Sequence, residues 1–501
     1  MTQHVNRLYH ELENILGFSG ESKSIDFYIS SITEHNPFYS TEEIRDWLNS
    51  FCSQDAMQVE RIPLEEVRQW NYDHRYGDIS HQSGRFFSIT GLSVRTNLEN
   101  FPQWSQPIIN QPEIGILGIL TKKFEGILYL LMQAKAEPGN VNLYQLSPTV
   151  QATRSNYTKV HEGKSTPFLE YFLNEGAAKV LVDQLQSEQG SRFYKKRNRN
   201  MIVRVADDHL LEPGPSFKWM TLRQLSLLML SDNTVNMDAR SVVSGISFSP
   251  KNKPSLSVNL GDLGNCLECS PLVTCPVSSL GLELMVSSQP NTWTLHTMEE
   301  LLLKLTRERF ECQLETQLMP LDKVDKWVRT PEKIFHVDNK YFYVIGIRAS
   351  ILDREVSSWD QPIIKWHNSG VIGFIMKRIN GILHFLVQTK LECGNMDLLE
   401  FAPTVQCSPD SYSKSNLPPY LTEVLNPRNS EVILDTRQSE EGGRFFHVSN
   451  RNLVLLANDE FRLDLPPHYM WMTLYQLKEF LKFSNYLNVE TRSVLACLKM
   501  L

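Results

Sequence analysis

The sequence has little of what announces a cofactor, a metal or a membrane. No apolar run approaches the roughly 20 residues needed to span a bilayer, and the opening MTQHVNRLYHELENIL has no basic segment leading into an apolar one, so no secretory signal is expected. There is no G-x-G-x-x-G between a strand and a helix and no P-loop, which removes the usual dinucleotide and nucleoside-triphosphate readings. Eight cysteines in 501 residues are too few for a disulfide scaffold, and a reducing cytoplasm is the natural location. Cys266-x-x-Cys269, followed by Cys275, has no fourth ligand at zinc spacing and reads as three ordinary thiols. The 13 histidines are scattered along the chain, and no paired metal site is expected. Acidic residues outnumber basic ones by 57 to 50, and a net charge of −7 gives no general attraction to nucleic acid or to anionic lipid. Any anionic ligand must be held by a local group of Arg and Lys.

What the sequence does have is a second copy of itself. QAKAEPGN at 133–140 returns as QTKLECGN at 388–395, an offset of 255 that holds without a gap from Trp104/Trp359 to Tyr157/Tyr412. Roughly four residues in ten are identical over that block, well above chance. Upstream the offset is 257, relating Pro63 to Pro320 and Trp70 to Trp327; downstream it is 252, relating Trp219 to Trp471 and Arg240 to Arg492. Small changes of offset fall in loops, where insertions are tolerated. The expected organisation is a helical extension over 1–39, one unit over 40–245, a Ser/Pro/Gly-rich spacer over 246–296 and a second unit over 297–501.

Each unit mixes strands and helices. Ser40-x-x-Glu43 and Thr297-x-x-Glu300 predict capping boxes, and Thr221-x-x-Gln224 and Thr473-x-x-Gln476 predict two more. Asn380-Gly381 between two apolar runs predicts a type I′ hairpin. NMDARSV and NVETRSV read as helices. The expected fold class is α+β, with antiparallel hairpins and flanking helices.

The shared polar residues are the informative ones, because a core is kept by any apolar residues of suitable volume. On a strand Gln133, Lys135 and Glu137 share one face, as do Gln388, Lys390 and Glu392. The plainer reading of such a row is an exposed, salt-bridged strand. Recurrence at identical spacing favours a ligand surface. SEQGSRF…NRN and SEEGGRF…NRN supply Glu188, Arg192 and Arg199 against Glu440, Arg444 and Arg451. Arginine forks suit phosphate oxygens; the alternative is a hairpin whose arginines pair with nearby acids. Tyr157/Tyr412 and Trp219/Trp471 are candidates to stack on a base or sugar, although a core role is the commoner one for tryptophan.

Taken together, W-x-Q-P-I-I, the QAKAEPGNVNLYQLSPTVQ block, SEQGSRF…NRN, WMTLRQL and NMDARSV, each with its second copy, resemble the NDP-hexose 2,3-dehydratase family of deoxysugar biosynthesis. The resemblance covers nearly the whole chain apart from the extension and the spacer. It implies two tandem domains related to Nudix hydrolases, each able to hold a dTDP-sugar, a homodimer, and a substrate such as dTDP-4-keto-6-deoxyglucose, with a 3-ketoreductase acting next. The metal-binding box of true Nudix hydrolases is absent, so diphosphate hydrolysis is not expected. Cys393 stands where the first copy has Pro138, and Ser411 where it has Asn156, so one half is free to bind without turning substrate over.

The implied chemistry needs no external cofactor. The 4-keto group acidifies the proton at sugar position 3, a base removes it, and the position-2 hydroxyl leaves by β-elimination to give a 3,4-diketo-2,6-dideoxy sugar. Glu392 or Glu137 is the candidate base, with Lys390 or Lys135 beside the enolate and Tyr412 or Tyr157 as proton donor. Arg192, Arg199, Arg444 and Arg451 are candidates for the diphosphate. Gln133, Asn140, Thr149, Gln151, Glu188 and Trp219, with Gln388, Asn395, Thr404, Gln406, Glu440 and Trp471, complete the expected substrate contacts. A duplicated, non-catalytic nucleotide-sugar binder, or an epimerase or isomerase on the same keto sugar, stays open at this point.

Overall fold

The computed structural model describes residues 2–16, 22–52, 57–73, 75, 77–97, 102–153, 166–174, 176–249, 260–273, 278–290, 292–351 and 358–498. Tyr157 and Cys275 lie outside them.

Among the described residues the first half carries helices α1 (Thr2–Leu16), α2 (Lys23–Ile32), α3 (Thr41–Cys52), α4 (Glu170–Leu173), α5 (Leu222–Met229) and α6 (Met237–Ser244). Its strands are β1 (Met57–Ile62), β2 (Trp70–Tyr72), β3 (Ile79–His81), β4 (Ser88–Thr96), β5 (Gln103–Asn110), β6 (Gly115–Phe124), β7 (Ile127–Ala136), β8 (Tyr144–Ser147), β9 (Val150–Ala152), β10 (Lys179–Ser187), β11 (Arg197–Arg204) and β12 (Phe217–Met220). The second half repeats this set. Its helices are α7 (Leu260–Glu268), α8 (Ser279–Ser287), α9 (Met298–Glu311), α10 (Leu421–Leu425), α11 (Leu474–Phe480) and α12 (Val489–Cys497). Its strands are β13 (Leu314–Met319), β14 (Trp327–Arg329), β15 (Lys333–His336), β16 (Phe342–Ile351), β17 (Ser358–Trp366), β18 (Val371–Ile379), β19 (Ile382–Leu391), β20 (Leu399–Ala402), β21 (Val405–Cys407), β22 (Ser430–Ser439), β23 (Ser449–Ala457) and β24 (Tyr469–Thr473).

The fold is α+β. Each half contributes a seven-stranded sheet, β10-β11-β6-β7-β12 with β8 and β9 attached, and β22-β23-β18-β19-β24 with β20 and β21 attached. Each of these sheets is antiparallel apart from one parallel pair, β6 with β11 and β18 with β23. The two five-stranded sheets are shared. β1 of the first half pairs with β16 of the second, from Met57 opposite Ile351 to Ile62 opposite Gly346. Reciprocally, β13 pairs with β4, from Leu314 opposite Thr96 to Met319 opposite Gly91.

Local chemistry sets the element ends. Ser40 Oγ accepts from the Glu43 amide at 3.1 Å while Glu43 accepts from the Ser40 amide at 2.7 Å. Thr297/Glu300, Thr221/Gln224 and Thr473/Gln476 close the same reciprocal box. Asn380 and Gly381 both have positive φ, 49° and 76°, as a type I′ hairpin requires, and Glu125-Gly126 does the same in the first half.

The spacer, expected only as a Ser/Pro/Gly-rich link, carries a helical pair, α7/α8, as the helical extension does with α1/α2, and α8 docks as α2 does. Ser30 Oγ donates to the Leu128 carbonyl at 2.6 Å and accepts from the Leu222 amide. Ser287 Oγ donates to the Leu383 carbonyl at 2.7 Å and accepts from the Leu474 amide. The duplicated unit thus includes a helical lead-in before each capping box. Sequence had little to show for it, because the shared feature is a buried serine hydroxyl joining a helix to a sheet.

Candidate active site

The Gln-Lys-Glu rows lie where the alternation places them. On β19 Leu386 is opposite Trp471 and Gln388 opposite Tyr469 of β24, so 386, 388 and 390 share a face with both rings. β7 matches, with Leu131 opposite Trp219 and Gln133 opposite Phe217. Both tryptophans are core residues. Trp471 is fully buried and edge-on to Phe461, and Trp219 meets Phe124 edge-on at 5.3 Å.

At the end of each row the side chains gather into a cluster. In the first half Gln151 Nε2 donates to Glu137 Oε1 at 3.2 Å and also to Asp238 Oδ2 of α6, while Lys135 Nζ stands 3.4 Å from Glu137 Oε1. Asn236, the N-cap of α6, accepts from the Ala239 amide and donates to Gln151 Oε1 at 3.4 Å. One residue therefore starts the helix and orients the glutamine. In the second half Gln406 Nε2 donates to Glu392 Oε1 at 3.0 Å, and Asn488, the N-cap of α12, donates to Gln406 Oε1 at 2.7 Å. Glu490 occupies the place of Asp238. Lys390 Nζ donates to the Gln406 carbonyl at 3.1 Å. In both clusters the carboxylates are buried, and the glutamines and lysines are half-buried.

The arginines cross over. Arg192, from the first half, faces Glu392 and Glu490 of the second; Arg444, from the second half, faces Glu441, Glu137 and Asp238. Lys135 and Glu137 are therefore grouped with Arg444, and Lys390 and Glu392 with Arg192: each cluster takes its arginine from the opposite half. The physical cause is the docking of the two polar motifs on each other. The Gly139 loop lies on the Gly442 loop, and the Gly394 loop lies on the Gly190 loop. Each arginine lies over an aromatic ring, Arg192 on Phe342 at 4.4 Å and Arg444 on Phe87 at 4.2 Å. Arg192 Nε is buried without a protein partner.

Burial dominates the electrostatics. It drives the Asp238 and Glu490 carboxyls far above the usual carboxylate range, with Glu441 and Glu137 adding to the first and Glu392 and Glu440 to the second. Glu392 is raised by burial against the opposing pull of Lys390 and Arg192. Glu441 is raised to about 7 by burial. Glu392 Oε2, Glu137 Oε2 and Glu490 Oε2 are buried oxygens with no protein partner.

Other expected residues are placed elsewhere in the framework. Thr149 Oγ1 accepts from the Leu120 amide and donates to the Leu131 carbonyl, tying β6 to β7, and Thr404 does the same between Ile375 and Leu386. Asn140 and Asn395 close their own loops onto Leu143 and Leu398. Arg199 is paired with Asp183 and Arg451 with Asp435, each through two bonds across adjacent strands. Glu188 and Glu440 are buried between the halves, accepting from Asn198 and Asn450. Gln388 donates to the Pro403 and Thr404 carbonyls. Tyr412 is 40% exposed just beyond β21, and the partial burial of its ring end shifts the hydroxyl upward from the ordinary phenol value.

The model of the NDP-hexose 2,3-dehydratase family matches residues 41–246 and again residues 298–498. The chain belongs to that family. It is 41% identical over 96% of its length to a protein of Saccharopolyspora spinosa named dTDP-4-dehydro-6-deoxy-alpha-D-glucopyranose 2,3-dehydratase, and covers 96% of that protein. Proteins of the same name from Amycolatopsis orientalis, 39% identical over 94% of this chain and 92% of theirs, and Streptomyces violaceoruber, 40% identical over 91% and 96%, are similar to it as well.

For a member of the 2,3-dehydratase family, the residues that sequence reasoning passed over are Asp238 and Glu490, with their capping partners Asn236 and Asn488, and Glu441 with Glu400. A signal existed for the first pair. NMDARSV and NVETRSV keep an acid two places before the shared arginine, on helices otherwise buried throughout. Glu441 and Glu400 gave none, since Gln189 and Gln145 stand in their places in the other half.

Proposed function

We propose that the protein removes water across positions 2 and 3 of dTDP-4-keto-6-deoxyglucose, and that the second-half cluster performs the chemistry. The observation that carries the placement is the state of the two lysines. Lys135 is drawn to Glu137 at 3.4 Å, whereas Lys390 donates to a backbone carbonyl and forms no such ion pair with Glu392. Glu392 takes the proton from position 3. The electron pair passes into the 4-carbonyl, and Lys390 and Arg192 offset the enolate charge. Glu490, held protonated by burial, gives its proton to the departing position-2 hydroxyl, which leaves as water. The enol then takes a solvent proton at position 2 and becomes the 3,4-diketone. Two carboxyl groups in one site with unequal proton affinities supply the base and the acid together.

Incubation with dTDP-4-keto-6-deoxyglucose in deuterated buffer tests the reading. The expected product has lost one water and gained one deuterium at position 2. Exchange at position 3 without loss of water would mean an epimerase or isomerase instead. Glu392→Gln is expected to lower turnover about 10²- to 10⁴-fold with dTDP affinity kept, while Glu137→Gln stays within a few-fold of wild type. Full activity of Glu392→Gln would remove it as the base.

The first-half cluster we assign to sugar-nucleotide binding, with Gln151, Lys135 and Arg444 as contacts and Tyr412 at the rim of the other. Each seven-stranded sheet, with one parallel pair among antiparallel neighbours, is compatible with a Nudix-related unit. We also expect a homodimer, checked by light scattering, and a reductase acting on the 3-keto group of the unstable diketone.

A further inference from the structure

A cavity of about 430 Å³ lies apart from both carboxylate clusters, at the seam between the halves. Its walls are the start of α2, the edge strand β10, the 245–249 segment that follows α6, and one face of α11 with the residues just beyond it. The duplication does not account for its chemistry. Ser226, Leu227 and Leu230 of the first half correspond to Lys478, Glu479 and Lys482 of the second, and these three line the cavity.

Lys478 is buried, and the partner it reaches is the Ser244 carbonyl at the end of α6. That contact has a structural reading, since a cation is favourable at a helix C-terminus. It uses one of three ammonium donors. The acids that line the same space are already engaged, Asp183 of β10 by Arg199 at 2.6 Å and Glu479 by Lys482, and Lys23 from α2 donates to the Leu181 carbonyl. Tyr475 and Gln184 add a hydroxyl and an amide. A buried ammonium beside open space, with no acid left over to pair with it among the residues lining the cavity, is arranged for an anion.

We propose that this cavity is a second ligand site, which takes a phosphate ester of sugar size with its phosphate on Lys478. Burial alone lowers the Lys478 ammonium to about 7, so an arriving dianion restores its charge and binding takes up a proton above neutrality. Lys23, Lys482, Asp183, Glu479 and Tyr475 are the other titratable groups facing the space.

The test is calorimetric titration of the full-length protein with inorganic sulfate, whose charge is constant between pH 6 and 8, and with glucose 1-phosphate for size. Wild type is expected to bind both, glucose 1-phosphate more tightly, and to lose about fivefold in sulfate affinity from pH 7 to pH 8. Lys478→Met should weaken both ligands roughly ten- to a hundredfold and leave dehydratase turnover unchanged. Lys478→Arg keeps the cation and the helix contact, so it should bind sulfate with no pH dependence. Any anion held by the arginines of the two clusters stays equal in all three proteins, so the difference isolates the cavity. Equal sulfate affinity in wild type and Lys478→Met, or no proton uptake by wild type at pH 8, would overturn the proposal. Sulfate binding with no preference for glucose 1-phosphate would overturn the assignment to an ester.

Discussion

The Gly139 amide donates to the Gly442 carbonyl at 2.8 Å, and the same bond runs from Gly394 to Gly190 at 2.6 Å. A methyl carbon added at Gly139 would lie 1.9 Å from the Phe445 carbonyl oxygen, and one at Gly394 would lie 1.9 Å from that of Phe193. Neither obstacle is a flexible side-chain tip. Gly139→Ala and Gly394→Ala are therefore expected to cost about 3 kcal/mol or more each, read from urea unfolding. Gly214→Ala, where nothing lies within 4 Å, serves as the near-neutral control.

Arg240 is 1% exposed and joins the halves, donating to Ser493 Oγ at 2.8 Å, Ser439 O at 2.6 Å, Gln438 Oε1 at 3.1 Å and the Val235 carbonyl. Arg492 returns the arrangement through Ser241 Oγ, Leu487 O and Ser187 O. Truncation leaves several buried acceptors without a donor. Arg240→Ala should destabilise the protein by about 3 to 5 kcal/mol, and lysine should not rescue it, because an ammonium cannot span the fork. Thermal unfolding of the three proteins settles the order.

Glu400 is buried, and burial raises its carboxyl to about 7. Its unfolded value is near 4.5, so the folded state holds the proton more tightly. Stability is then unaffected below about pH 4.5 and declines as pH rises toward 7, where folding opposes ionisation. Glu400→Gln copies Gln145 of the first half, whose Oε1 accepts from Ser439 just as Glu400 accepts from Ser187. The variant is expected to match wild type near pH 4.5 and to exceed it by about 2 kcal/mol at pH 8. A variant less stable at pH 8 would mean that the ionised carboxylate is favoured where it sits.

The crossed arginines make a prediction about coupling. Arg192→Met should impair the cluster of Glu392, and Arg444→Met that of Glu137. In double-mutant cycles on turnover, Arg192→Met with Glu392→Gln should be non-additive by about 1 kcal/mol or more, while Arg444→Met with Glu392→Gln should add. The reverse pattern would put the arginines in their own halves.

The features legible in the sequence are those written within a few residues. The capping boxes at Ser40, Thr221, Thr297 and Thr473 and the Asn380-Gly381 turn each depend on side chains and amides three or fewer positions apart. The alternation that puts Gln388 and Lys390 on one strand face is equally local. Much of what escaped is set by contacts between the two halves of the chain. β1 and β13 look like ordinary strands, and nothing in MQVERI or LETQLM says which sheet receives them. Arg192 and Arg444 were visible as a pair, but their partners depend on how two glycine loops nest. Asp238 and Glu490 were hidden by position, since an acid in the first turn of a helix is read first as a dipole partner.

The exchanged strands bear on how the chain is made. Emerging from the ribosome, the first half offers β4 an empty edge until residues 314–319 exist, and β1 has no place to settle until residues 342–351 follow. Synthesis of more than half the polypeptide must therefore precede closure of either small sheet. Severed halves produced together would meet as mutual templates, each supplying the strand that the other lacks.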